Sequence, residues 1–351
     1  MDDINSPKQK FYAFAEQTTF GTPIANDGTF KRVAIDSLEV TGRARTYEIP
    51  GVGGSDYAQD ADIVTLTSGS MPTFTTSGPF TIYNSHEMAY AYFQSVAENA
   101  GTFMYSTASG SIKPDFSANE GHFITWLGVY PDAANAGQHL SHKHPDCIAS
   151  SLKLSCERDG MLMIENNWAT RGAGTTNNDT SGATFIDLEG SVHKLGIKDF
   201  FQLTVVEIDF LEANGSGVAS SAGPELQKFE CEFTQDIVKS GLSLDGKTFK
   251  NYGIVNRDGT FTIQMLKDAT AETSIAQYVT GNPVDIHIRW GSPDVSVVGA
   301  VALRLRGKLT ADPTFPEEGD IGCIITGRIT KVNSAAESSY LRINNGLTES
   351  W

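Results

Sequence analysis

Apolar and polar residues alternate with a period of two through much of this chain. In Phe229-Glu230-Cys231-Glu232-Phe233-Thr234 the apolar positions fall on one side and the polar positions on the other. That is the pattern of a strand with one packed and one solvated face. Val206, Ile208 and Phe210 alternate in the same way with Glu207 and Asp209. Leu152, Leu154 and Cys156 alternate with Lys153 and Ser155 as far as Arg158-Asp159-Gly160, and Met161 to Trp168 follows. An Asp-Gly pair between alternating runs predicts a hairpin, because glycine tolerates the positive φ of a tight turn.

Two short segments carry the helical period instead. Asn84 and Glu87 stand at capping-box spacing, and Met88, Ala91, Tyr92 and Val96 share one face of a helix running to Val96. From about Thr270 to Val279 the stripe is Ile275, Tyr278 and Val279, with Gly281 and Pro283 as the stop. A similar strand precedes each helix, Gly78-Pro79-Phe80-Thr81-Ile82 and Gly259-Thr260-Phe261-Thr262-Ile263, 181 residues apart. Further strands follow each helix: His122 to Val129 and Ile148 to Trp168 in one half, Val284 to Trp290 and Val301 to Val332 in the other. This predicts a unit of two strands, a helix and two strands, used twice. The units would be domains over 1–170 and 184–351, joined by a connector over 171–183 rich in Gly, Asn, Ser and Thr. Polar segments at 43–62, 106–121, 131–146 and 212–224 read as loops, and loops of such length usually perform something.

A length of 351 residues suits two cores of ordinary domain size. Charge narrows the partners. Against 26 Lys and Arg stand 42 Asp and Glu, a formal net charge of −16, so a partner gripped through its phosphates is not expected. The longest apolar run, Val297 to Leu303, has seven residues, far short of the ~20 needed for a membrane-spanning helix. The acidic start Met1-Asp2-Asp3 lacks the layout of a secretory signal, so the chain is expected to be made and kept in cytoplasm. Cys147, Cys156, Cys231 and Cys323 form no C-x-x-C pair, which suggests buried free thiols rather than a zinc site or a disulfide framework.

Candidate chemistry is sparse. Gly241-Leu242-Ser243-Leu244-Asp245-Gly246-Lys247-Thr248 matches the phosphate-cradling pattern G-x-x-x-x-G-K-T. A working P-loop opens a helix, whereas Phe249 to Gly253 and Arg257-Asp258-Gly259 read as strand and turn. The motif is therefore expected to be a hairpin turn. His139, His142, His144, Asp146 and Cys147 are all competent metal donors, but their spacing matches no ligand pattern and a polar loop is expected. The pairs Glu207 with Asp209 and Glu230 with Glu232 each share one strand face, which reads as a solvated wall rather than paired catalytic carboxylates. No enzyme activity and no cofactor or metal are expected.

Ala15-Glu16-Gln17-Thr18-Thr19-Phe20-Gly21-Thr22-Pro23-Ile24-Ala25, followed by Arg32 to Leu38, resembles the opening of the tail tube (major tail) proteins of tailed bacteriophages. The Gly-x-Phe-Thr-Ile strand leading into a short helix, and Ile148 to Cys156 with its Asp-Gly hairpin, are similar to that family too. The resemblance implies a mainly β chain of two tandem β-sandwich or barrel-type domains, each with one short flanking α-helix. It implies a structural virion protein, in the phage tail and assembled in host cytoplasm, whose copies stack as rings into a tube. The two-domain form implies homotrimeric rings with pseudo-sixfold symmetry. Its partners would be itself and other tail proteins at the tube ends, with viral DNA passing through the channel without specific binding and no membrane involved. On this reading Glu207, Asp209, Glu230 and Glu232 are the candidates to face the channel. Tyr47, Gly51, Gly53, Gly54 and Tyr57, within Arg43 to Asp62, are the candidates for ring stacking. The rival reading is a carbohydrate-binding or adhesive β-sandwich module, with Trp126, Trp168, Trp290 and Tyr-rich loops stacking on sugars.

Overall fold

The computed structural model describes residues 11–22, 24, 30–33, 35, 38, 41, 45–48, 63–66, 71–82, 85–94, 97–99, 102–106, 120–131, 139–157, 160–171, 175–177, 205–212, 226–242, 249–266, 279–281, 283–291, 296–315, 322–330 and 339–346. Most of them are strand, and the strand pairings among them are antiparallel.

Six strands in the first half are β1 (Phe11–Thr19), β5 (Thr73–Pro79), β8 (Glu120–Pro131), β9 (His139–Glu157), β10 (Met163–Ala169) and β11 (Thr175–Asn177). They pair in the order β1-β8-β9-β10-β5, with β11 also on β9. Six in the second half are β12 (Val205–Glu212), β14 (Phe249–Leu266), β15 (Val284–Trp290), β16 (Val301–Leu309), β17 (Gly322–Ile329) and β18 (Tyr340–Asn344). Their order is β12-β15-β16-β17-β14, with β18 also on β16. Taken in chain order, the two sets make the same pairings.

One strand joins them. β13 (Leu226–Leu242) pairs with β14 along one edge and, from Lys228 to Thr234, with β9 along the other. The result is one 16-stranded sheet among the described residues. Its margins are β2 (Lys31–Val33) on β1, and β7 (Thr102–Ser106) with β6 (Ala97–Asn99) beyond β18. β3 (Arg45–Glu48) and β4 (Ile63–Leu66) form a separate two-stranded sheet.

β9 changes partners midway. Its first part pairs with β8, from His139 to Cys147, and its second part pairs with β10 and β13. The change falls at Pro145-Asp146, where Asp146 takes a φ of +54°, rare for a residue other than glycine. Buried hydrogen bonds hold this corner. The Asp146 carboxylate accepts from the Gly21 N–H at 2.6 Å and from the Gln17 side-chain amide, while the Asp146 N–H donates to Gln17 Oε1 at 3.0 Å. Thr125 Oγ1 donates to the same Gln17 oxygen at 2.7 Å, and the Tyr252 hydroxyl donates to the Asp146 carbonyl. Burial pushes the Asp146 carboxyl up from its usual range, against the opposing pull of these donors and of Arg171, 3.7 Å away.

Folding at the corner brings two groups of aromatic side chains together. Trp126 and Phe14, from β8 and β1, meet Trp168 and Phe74, from β10 and β5. Trp126 lies edge-on to Trp168 with ring centroids 5.4 Å apart. Burying an aromatic side chain of this kind removes roughly 200 Å² from water, on the order of 5 kcal/mol of transfer free energy. The same apolar cluster continues into the second half through Phe229, Cys231, Phe261, Ile263, Ile286 and Trp290.

α1 (Ser85–Phe93) packs on this cluster through Met88, Ala89, Ala91, Tyr92 and Phe93. Tyr92 donates from its hydroxyl to the Thr234 carbonyl at 2.9 Å, and Arg257 donates to the Tyr92 carbonyl at 3.3 Å. A helix from the first half is thus fixed to β13 and β14 of the second. Gln94, at a φ of +58°, ends α1, and its side-chain amide binds the His122 N–H and carbonyl. The second predicted helix lies mostly outside the described residues. Its last position, Val279, is helical, as is Thr280 just beyond it, and Gly281 follows at a φ of +66° as a C-terminal stop requires.

Two local expectations are corrected. His139 to Asp146 is not a loop but the first part of β9, because main-chain pairing to β8 on one edge and β11 on the other outweighs its polar composition. Arg257-Asp258-Gly259 is not a turn. β14 runs straight through it, and the irregularity there is a bulge opposite Gln235 to Ile237. Gly259 keeps its use as a close approach, since a Cβ there would stand 2.8 Å from Ile329 Cδ1.

Candidate functional site

The face of the sheet turned away from the apolar cluster carries the predicted acidic residues of β13. Its register can be followed across seven strands: Ser77, Glu165, Lys153, Glu232, Thr260, Arg328 and Lys308 are successive partners. The next row holds Met163, Ser155, Glu230, Thr262 and Thr326. Glu230 and Glu232 are half-buried on this face while Phe229, Cys231 and Phe233 are buried behind it. Alternation therefore places both carboxylates as expected.

Their neighbours come from other strands. Lys153 Nζ stands 3.1 Å from Glu230 Oε1. Burial alone would lower the Lys153 ammonium, but its hydrogen bond to Glu230 and the charges of Glu230, Glu165 and Glu232 outweigh that and hold it above its usual range. Lys228 pairs with Glu157 at 3.3 Å, and Arg328 with Asp258 at 2.7 Å. Exposed pairs of this kind add little to stability, so their larger effect is on what the face offers a visiting ion.

Glu207 and Asp209 lie elsewhere. On β12 they stand opposite Arg289 and His287 of β15, with four strands between β12 and β13 in the sheet order. That is roughly 24 Å along the sheet at about 4.8 Å per strand. On the neighbouring β15 Asp285, only 4% exposed, receives Arg304 Nε at 2.9 and 3.1 Å on its two oxygens, and His287 Nε2 lies 3.2 Å away. Burial alone would raise the Asp285 carboxyl, but His287 and Arg304 together bring it down to about 2.

Over this outer face, the described side chains include six carboxylates (Glu157, Glu165, Glu230, Glu232, Asp258 and Asp285). Against them stand eight cations (Lys153, Lys228, Lys308, Arg289, Arg304, Arg306, Arg328 and Arg342). Apart from Lys228, on β13 itself, these cations come from strands far away in sequence, so the alternation that located Glu230 and Glu232 gives no sign of them.

Tyr47 lies on β3, paired opposite Val64. Gly51, Gly53, Gly54 and Tyr57 lie outside the described residues, as does Ser243 to Thr248 of the P-loop-like motif. Around that motif, β13 and β14 are antiparallel neighbours with Leu242 opposite Phe249, so it connects two strands rather than a strand and a helix. His142 and His144 stand on β9, His144 buried against the Phe74 ring, centroid to centroid 5.8 Å. Among the described residues no three His, Cys, Asp or Glu side chains are grouped to hold a metal ion. None of the four cysteines is in a disulfide, and all four are buried. Burial pushes the thiols of Cys147, Cys156 and Cys231 up, which keeps them in the weakly nucleophilic protonated form.

Trp126, Trp168 and Trp290 are fully buried, so none can stack on a sugar. No helix among the described residues is long and apolar enough to cross a membrane. Compared with protein-family models and with curated proteins, the sequence matches none.

Proposed function

We propose that this chain is a non-enzymatic, self-assembling structural protein of the tail tube type, built from two tandem β-sandwich units, whose copies join into stacked rings around a channel. The observation that carries this is the pairing order: β1-β8-β9-β10-β5 with β11, then β12-β15-β16-β17-β14 with β18. A unit repeated in one chain and zipped to its twin through β9 and β13 is a ring-building part with one internal joint already made. Homotrimeric rings with pseudo-sixfold symmetry follow if the joint between chains copies the joint within one.

The electrostatics support a passive channel wall. DNA binds where free Lys and Arg displace its counterions. On the outer face Lys153, Lys228, Arg304 and Arg328 are already engaged with Glu230, Glu157, Asp285 and Asp258. A phosphate would have to break an ion pair to be held by any of these four. Glu207, Asp209, Glu230 and Glu232 remain the proposed channel-facing carboxylates, and Tyr47 to Tyr57 the proposed stacking segment. Other tail proteins would meet the tube at its ends.

Negative-stain electron microscopy of concentrated purified protein tests the reading. Hollow tubes or stacked rings are the expected result. Discrete monomers that bind immobilised glycans would overturn it in favour of an adhesive module.

A further inference from the structure

We infer that copies of this chain stack end to end through an apolar knob and a hollow that receives it. The turn Ser296-Val297-Val298-Gly299 of one copy enters the hollow where the β9–β10 hairpin meets the start of β13 in a second copy. The inference rests on the self-assembly reading and adds to it one contact along the stacking direction.

The knob is apolar where turns are ordinarily polar. Val297 and Val298 are 47% and 58% exposed at adjacent positions. Their backbone is nevertheless fixed. The Ala300 N–H donates to the Val297 carbonyl at 3.1 Å, and the Gly299 N–H donates to the Asn344 carbonyl at 2.8 Å. Asn344 Nδ2 donates to the Ser296 carbonyl at 2.9 Å. Gly299 reverses the chain at a φ of +99°, and Gly346 leaves room for Val298, since a Cβ there would stand 2.7 Å from Val298 Cγ2. Two valines are thus held towards water in one shape, and a knob already ordered loses little freedom when it is received.

The hollow has a volume of about 430 Å³ and is lined by Met161, Met163, Cys156 and Phe229, with the exposed pair Lys228 and Glu157 beside them. Cys156 and Phe229 are buried, whereas Met161 is 36% exposed. Met163 shares its row of the outer face with Ser155, Glu230, Thr262 and Thr326. Two thioether side chains on a face otherwise built of charged and hydroxyl residues make an apolar seat that adapts to the shape of what enters.

Strand direction identifies the occupant. β9 runs antiparallel to β13, β13 to β14, β14 to β17 and β17 to β16. Four reversals leave β9 and β16 parallel. The hollow lies where β9 ends, at Glu157, and the knob lies just before β16 begins, at Val301. They therefore sit at opposite ends of one sheet, and moving a second copy along the strands brings its knob to the hollow. A contact between two different surfaces does not close on itself and builds an open stack. Because the knob is on the second unit and the hollow on the first, each layer is turned so that unlike units lie over one another. Charge agrees. Each copy carries −16, so approach is least opposed where both surfaces are neutral. The turn bears no charged side chain, and beside the hollow Lys228 lies 3.3 Å from Glu157 and Lys153 3.1 Å from Glu230.

The test compares wild type, Val298→Asp and the double variant Val298→Asp, Met161→Lys by negative-stain electron microscopy, with thermal melts of all three. Both positions are exposed, so unchanged melting temperatures are expected and show that the fold is intact. Val298→Asp is expected to lose tubes and leave single rings, and the double variant to regain tubes through an ion pair across the contact. Val297→Asp, at the neighbouring exposed position, is the second knob variant and is expected to act as Val298→Asp does. Tubes from both knob variants as abundant as those of wild type overturn the contact and leave the tube reading standing. Loss of tubes that Met161→Lys does not reverse, at an unchanged melting temperature, overturns the pairing of this knob with this hollow. Wild type that forms neither rings nor tubes overturns the self-assembly reading itself.

Discussion

Replacing Gly327 by alanine tests whether the sheet is packed as described. Gly327 on β17 lies beneath the ring of Phe261 on the neighbouring β14, and a Cβ there would overlap Phe261 Cζ, with Cε1 and Cε2 at 2.6 and 2.8 Å. The ring cannot lift away. It is 1% exposed, and on its other side a Cβ at Gly307 would meet the same Cε1 at 2.8 Å. Overpacking of this kind costs about 1–3 kcal/mol. Unfolding entropy of about 2.1 cal/mol/K per residue gives roughly 0.7 kcal/mol/K for this length, so about 2 kcal/mol lowers the melting temperature by about 3 °C. Phe261→Leu removes the obstruction. The double variant Gly327→Ala, Phe261→Leu should therefore lose less stability than the sum of the single losses, as residues in contact do. Thermal melts of the four proteins read the cycle. A Gly327→Ala melt that coincides with wild type, or losses that add, would refute the reasoning.

Acid should unfold the protein partly through Asp285. Its carboxyl is held down at about 2 against an unfolded value of about 3.9, so its contribution is present above pH ~4 and lost as pH falls towards 2. Asp285→Asn should melt lower at neutral pH and lose less between pH 4 and 2; parallel curves would contradict this. Asp146 runs the other way, since a carboxyl raised by burial stabilises most when protonated and the contribution fades as pH rises through its folded value. Asp146→Asn, which retains an acceptor for the Gly21 N–H and tolerates positive φ, should melt at or above wild type at pH 7, whereas Asp146→Ala should melt lower. Equal melts for the two variants would show that the corner does not depend on that acceptor. The four thiols should resist Ellman's reagent until the chain unfolds, and rapid labelling of the native protein would place one of them at the surface.

What the sequence reveals is what local pattern decides. β15 is read with its boundaries, the β9–β10 hairpin and α1 almost so, because alternation, a glycine turn and a helical stripe are short-range signals. β1 and β18 are missed: Phe11 to Thr19 and Tyr340 to Asn344 each sit between two partner strands, one of them more than a hundred residues away, in β8 and β7. The polar first part of β9 and the Asp-Gly step within β14 mislead for the same reason, since pairing on both sides overrides composition. Glu230 and Glu232 are located by alternation, but Lys153, which sets their environment, comes from β9 and is visible only once the strands are aligned. The repeat is faint in residues and plain in topology, because packing preserves which strands pair more strictly than which side chains fill them.

The central claim is that two like units, joined through β9 and β13, build rings by repeating that joint between copies. An electron cryomicroscopy reconstruction of the assembled particle measures this directly. The account predicts a ring in which the sheet of each copy runs unbroken into the sheet of the next, enclosing an open bore. Copies that touch through side chains alone, with no sheet continuous between them, would contradict it.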